Sequence, residues 1–125
     1  TYRTPEEFEE RFESAPGAAA GDTYDVCDYL VARGAAYDMD AKRYVTLSDS
    51  IDRHRVDAAA IAAPALIIAA TSDRLAPIGD LRRLSSALTN GEIIEIDSLY
   101  GHDAFLKETD AIGPHIAKFL KETTL

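Results

Sequence analysis

Residues 62–71 read AAPALIIAAT and residues 92–97 read EIIEID. The first run is apolar almost throughout. Its length, bounded by Pro64 and by Ser72-Asp73, predicts a strand near 64–71 that is buried on both faces, as strands of a parallel sheet are. The second run predicts another strand. Between them Leu81, Leu84 and Leu88 recur at helical spacing and stop at Asn90-Gly91. After them Ile112, Ile116, Phe119 and Leu120 mark a closing helix, with Gly113-Pro114 near its first turns. Strand, helix, strand, helix is the pattern of right-handed crossovers, so the two strands are expected to be parallel and adjacent. The fold class is α/β, a parallel sheet with flanking helices. Two strands cannot cover both faces of such a sheet, so residues 59–125 are expected to belong to a larger α/β domain whose earlier strands lie outside this chain.

Upstream of residue 58 the pattern is different. Thr4-Pro5-Glu6-Glu7 predicts a helix start: Thr4 caps, Pro5 suits the first helical position, and Glu7 stands where a capping box places it. Phe8 and Phe12 follow one turn apart, and Pro16-Gly17 closes the segment. Val26, Tyr29 and Leu30 form a second stripe that stops at Gly34, a helix-terminating glycine. Asp40 opens a third helix with Tyr44, Leu47 and Ile51 on its buried side. Stripes this narrow predict an accessory layer or lid over residues 1–58 rather than a self-sufficient bundle.

The 125 residues have room for one domain or a piece of a larger one, and 46% hydrophobic residues exclude a disordered chain. Thirteen Lys and Arg against twenty-two Asp and Glu leave a charge of −9. That balance argues against nucleic acid and against anionic membrane surfaces, both of which need clustered cations. No apolar run approaches the roughly 20 residues that span a bilayer, and Thr1-Tyr2-Arg3-Thr4-Pro5 has none of the regions of a signal peptide. Without an initiator Met, the chain is read as an internal or C-terminal piece. A single cysteine, Cys27, excludes an internal disulfide and reads as packing on a helix stripe.

Asp73 directly follows the first strand and His102 follows the second after a short loop, 29 residues later. Both therefore stand at the carboxyl ends of adjacent parallel strands, where open α/β sheets place their sites. A carboxylate beside an imidazole fixes its tautomer and stabilises the imidazolium formed in proton transfer. The same two residues also fit a helix-capping Asp and a surface His. His54, within Asp52-Arg53-His54-Arg55, reads as solvated, and His115 on the closing helix as structural. No His pair has metal-ligand spacing with a third ligand, so no metal is expected. None of Ser14, Ser48, Ser50, Ser72, Ser85, Ser86 and Ser98 stands in a Gly-x-Ser-x-Gly elbow. The chain has an acid and a base but no recognisable nucleophile.

Ser72-Asp73-Arg74-Leu75-Ala76-Pro77, with Ile94 to Leu106 reading IEIDSLYGHDAFL, closely resembles the C-terminal part of the homoserine O-acyltransferases. Residues 1–12, TYRTPEEFEERF, resemble the family segment that leads into the helical lid. The resemblance covers essentially the whole chain, and Gly-His-Asp-Ala-Phe-Leu is its most specific part. It implies an α/β-hydrolase fold and transfer of an acetyl or succinyl group from acyl-CoA to homoserine or serine. Asp73 and His102 are then the acid and base of a Ser-Asp-His triad whose Ser precedes this chain, and the chain alone is expected to be inactive. By the same resemblance Asp103 binds the α-ammonium of the acceptor and opens toward the space in front of His102, or serves as a helix cap. Tyr2 matches a tyrosine near the acceptor's carboxylate, or serves as an aromatic anchor. Arg74 meets the distal carboxylate of a succinyl group, or is a surface charge. The family further implies no bound cofactor, acyl-CoA as co-substrate, and a cytoplasmic, homodimeric full-length enzyme of methionine or cysteine biosynthesis. An esterase on the same fold and a non-catalytic interaction module are the competing readings.

Overall fold

Ala65–Ala70 forms strand β1 and Gly91–Ile96 forms strand β2, paired in parallel with Ala65 beside Gly91 and Ala70 beside Ile96. The computed structural model describes residues 3–12 and 23–123. In chain order its helices are α1 (Pro5–Arg11), α2 (Asp25–Ala35), α3 (Ala41–Asp52), α4 (Ile78–Ala87), α5 (Ala104–Lys107) and α6 (Thr109–Thr123). Single 3-10 turns stand at Ala58–Ala60 and Gly101–Asp103. The strands begin and end within a residue or two of the apolar runs that predicted them. Thr1–Phe8 and Asp57–Leu125 form one compact unit, and Glu9–Val56 forms another. Within the first of these units Arg3 and Thr4 are hydrogen-bonded to the segment that follows β2.

Within the strand-bearing unit, α4 makes the crossover from β1 to β2. Arg82 on α4 donates through Nε and one Nη to the two carboxylate oxygens of Glu95 on β2, each at 2.7 Å. That pairing holds the Glu95 carboxyl below its usual range. The return from α4 to β2 depends on Gly91. A Cβ there would stand 2.8 Å from both the Ser85 carbonyl oxygen and the Leu88 Cβ, closer than atoms pack. Gly91→Ala is therefore expected to destabilise the chain by about 1–3 kcal/mol, the usual cost of an overpacked site. Thermal unfolding measures this, and an unchanged midpoint would contradict the close approach.

Burial along β1 differs from expectation. Ala69 and Ala70 are 1% and 7% exposed, whereas Leu66, Ile67 and Ile68 are only half-buried. Covering both faces of a strand takes layers on each side, and this sheet has two strands.

In the unit Glu9–Val56, Asp40 caps α3 by accepting from the Arg43 amide at 3.0 Å, as its position predicts. Helix α2 runs through Gly34 and closes at Ala36 in a right-handed conformation, so Gly34 does not end it. Tyr44, Leu47 and Ile51 are 56%, 46% and 72% exposed, and Cys27 is exposed too. Helical spacing marks a face that a neighbour could cover, but it does not supply the neighbour. The Phe12 and Tyr29 rings meet at a centroid distance of 5.5 Å, with the Arg11 guanidinium 4.7 Å from the Tyr29 centroid. Pro16-Gly17 lies outside the described residues. No described helix is long and apolar enough to cross a membrane.

Candidate active site

The loops that leave β1 and β2 are laced together. The Thr71 amide donates to the Ile96 carbonyl at 2.9 Å, and the Thr71 hydroxyl to Asp97 at 2.6 Å. The Ser72 hydroxyl donates to the Ser98 carbonyl. Asp73 is then turned back on its own loop: its Oδ1 accepts from the amides of Leu75 at 2.8 Å and Ala76 at 3.0 Å. This is the local turn that aspartate favours. It leaves Oδ2 to face the neighbouring loop, where it lies 2.8 Å from Nδ1 of His102.

His102 is carried by the 3-10 turn Gly101–Asp103. Gly101 is buried and has φ 53°, in the left-handed region, where any other residue would cost about 1–2 kcal/mol. The turn is further set by the Tyr100 amide, which donates to the Ser98 hydroxyl at 3.0 Å. The Phe105 ring meets the imidazole edge-on at a centroid distance of 6.0 Å. His102 and Phe105 line an open cleft of about 540 Å³ together with Asp73 and apolar side chains that include Leu66, Ile68 and Ile116.

Desolvation pushes the Asp73 carboxyl upward. The bonds from the Ala76 amide, His102 and the Leu75 amide outweigh it, and the group is held below the usual carboxylate range. An ionised carboxylate can only accept, so a neutral His102 carries its proton on Nδ1 and has Nε2 as its basic nitrogen. That is the protonation pattern a general base requires.

Asp103 follows His102 directly but does not line the cleft. Its Oδ2 accepts from Arg3 Nε at 2.8 Å. It does not cap α5 either. Arg3 also pairs with Glu7, which is only 8% exposed, and its guanidinium carbon is 5.8 Å from the Tyr100 ring centroid. The Asp103 bond, opposed by desolvation and aided by Glu7, raises the Arg3 pKa above its ordinary value. The Thr4 amide and hydroxyl both donate to the Leu99 carbonyl, at 3.2 and 2.8 Å. The capping box is thus half formed: the Glu7 amide does donate to the Thr4 hydroxyl at 3.2 Å, while the Glu7 carboxylate goes to Arg3.

Arg3 was not visible as a site residue in the sequence, because its partner is 100 positions away. The only local signal was the four-residue spacing of Arg3 and Glu7. Tyr2 lies outside the described residues. Arg74 and His54 are exposed, and His115 is half-buried on α6. No group of three or more metal-ligating side chains occurs among the described residues.

A carboxylate beside an imidazole at the carboxyl ends of adjacent parallel strands stands where open α/β sheets place their sites, and comparison with known proteins gives an α/β-hydrolase class. Residues 35–125 match the Abhydrolase_4 family model, described as TAP-like protein. The chain belongs to this family, within the α/β-hydrolase superfamily. It is 43% identical to the homoserine O-succinyltransferase of Xanthomonas campestris over 98% of this chain and 34% of that protein. It is 35% identical to the homoserine O-acetyltransferase of Mycolicibacterium smegmatis, over 97% of this chain and 36% of that one. The homoserine O-acetyltransferase of Chloroherpeton thalassium is 32% identical over 98% and 35%. The chain spans about a third of the length of the curated relatives it matches.

Proposed function

We propose that this chain supplies the acid, the base and part of the acceptor site of an O-acyltransferase acting on the hydroxyl of L-homoserine. The observation that carries this reading is the 2.8 Å bond between Asp73 and His102 Nδ1. The names of its relatives support homoserine as acceptor, and both acetyl and succinyl groups as donors. Asp73 orients His102 and stabilises its imidazolium. His102 takes the proton of a serine that lies outside this chain, and that serine attacks the thioester carbonyl of acyl-CoA. CoA leaves as the thiol, taking the proton from His102. His102 then takes the proton of the homoserine hydroxyl, whose oxygen attacks the acyl-enzyme; the serine leaves as its hydroxyl, taking that proton back from His102. The chemistry needs no bound cofactor, and acyl-CoA enters as co-substrate.

Transfer must outcompete hydrolysis, so the site has to hold an amino acid. Asp103, beside the base, holds the α-ammonium, and the family resemblance assigns Tyr2 to the acceptor's carboxylate. Among the described residues nothing is bonded to Asp103 Oδ1, while Oδ2 is held by Arg3. In the complete enzyme, Asp103→Asn is expected to lower kcat/KM for homoserine by roughly 10²- to 10³-fold, since truncating one partner of a charge pair costs several kcal/mol. The same variant should lose far less activity against a simple aryl ester. Equal losses on both substrates would instead favour an esterase.

A further inference from the structure

Arg3 is placed differently from the other cations of the chain. It reaches across 100 positions of sequence to the residue after the base, and it is bound at three points. Nε donates to Asp103 Oδ2 at 2.8 Å, one Nη donates to Glu7, and the guanidinium lies over Tyr100. Tyr100 and Asp103 flank Gly101 and His102, so the guanidinium touches both ends of the turn that carries the base. The arginine, Asp103 and Glu7 side chains are 21%, 23% and 10% exposed. A carboxylate at the end of a turn, with no capping bond of its own, can rotate. A planar guanidinium held at its other end cannot follow that rotation.

The charges matter as much as the geometry. Arg3 alone would neutralise Asp103 and leave it a poor partner for an ammonium. Glu7 supplies a second carboxylate, so the cluster of one cation and two anions keeps one negative charge. Opposite charges at a few ångströms attract strongly where water is partly excluded, and an ammonium arriving at Asp103 would bring the cluster to neutrality. The nearly buried Glu7, which neither completes a capping box nor faces solvent, acquires a reason for its position.

We infer that Arg3 is a positioning residue of the acceptor site: it fixes Asp103 through Oδ2 so that Oδ1 receives the α-ammonium, and Glu7 restores the charge that this pairing would otherwise cancel. The inference rests on the reading of Asp103 as the ammonium ligand. It does not make Arg3 a catalytic residue, since Arg3 acts through Asp103.

The test is steady-state kinetics of the complete enzyme with homoserine and acyl-CoA, comparing Arg3→Gln, Arg3→Lys, Asp103→Asn and the double variant Arg3→Gln/Asp103→Asn. Arg3→Gln should raise KM for homoserine by roughly 10- to 50-fold and change kcat by less than about threefold, with Arg3→Lys between it and the wild type. The double variant should be no worse than Asp103→Asn alone, because both changes remove one interaction. If Asp103→Asn raises KM and Arg3→Gln does not, the inference falls and the reading of Asp103 stands. Full additivity in the double variant also overturns it, because Arg3 would then act elsewhere. If Asp103→Asn leaves KM unchanged, the reading of Asp103 falls and this inference with it. Should Arg3→Gln not fold, Arg3→Lys decides: KM raised by roughly 3- to 10-fold supports the inference, and a wild-type KM overturns it.

Discussion

His102→Ala in the complete enzyme is expected to lower kcat by roughly 10⁴- to 10⁶-fold while changing KM for acyl-CoA little. In the proposed reaction the imidazole takes part in both halves, first against the serine and then against the homoserine hydroxyl. No other described residue that lines the cleft offers a neutral nitrogen base. Its removal should therefore abolish both acyl-enzyme formation and deacylation. Rapid-quench mass spectrometry of the variant with acyl-CoA checks this: no acylated protein should accumulate on the timescale of wild-type turnover. Loss of transfer with normal acyl-enzyme accumulation would mean that His102 serves the second step alone.

Asp73→Asn is expected to lower kcat by roughly 10²- to 10⁴-fold, and the geometry gives a specific reason. Asp73 Oδ1 accepts from two backbone amides, Leu75 and Ala76. An asparagine must keep its carbonyl oxygen in that position, which turns its NH₂ toward His102 Nδ1. An NH₂ can only donate, so Nδ1 gives up its proton and Nε2 becomes the protonated nitrogen. The ring is held in place but in the wrong tautomer. Stability should respond as well. The folded Asp73 carboxyl lies below its ordinary value, so its contribution is fully present above the unfolded value of about 3.9 and is lost as pH falls through the lower folded value. Unfolding midpoints measured from pH 6 downward should fall less steeply in Asp73→Asn than in the wild type, to about the extent that this one carboxylate contributes. Parallel acid limbs would show that the pairing adds nothing to stability.

Those two residues were legible in the sequence for the same reason that the strands were. An apolar run with turn residues at both ends fixes a strand, the carboxyl end of the strand fixes where its loop emerges, and 29 residues of crossover make the two loops neighbours. The Asp103–Arg3 pair was not legible, because ionic pairing across the chain leaves no periodicity in either partner. Burial was the other gap. The stripe of Tyr44, Leu47 and Ile51 and the apolar length of β1 report which surfaces tolerate covering, and they are silent about what does the covering. Gly34 and Gly101 show the same limit at single residues. Both are glycines near the end of an apolar stretch, but only Gly101 adopts the left-handed conformation, and that depends on the hydrogen bonds made by its neighbours.

The most direct measurement is CoA release by the complete enzyme from acetyl-CoA and succinyl-CoA, with and without L-homoserine, alongside identification of the product. CoA release should depend on homoserine, saturate with it, and be matched mole for mole by O-acylhomoserine. Release of CoA at the same rate without homoserine, with the free acid as product, would contradict acyl transfer and make the Asp73–His102 pair that of a hydrolase.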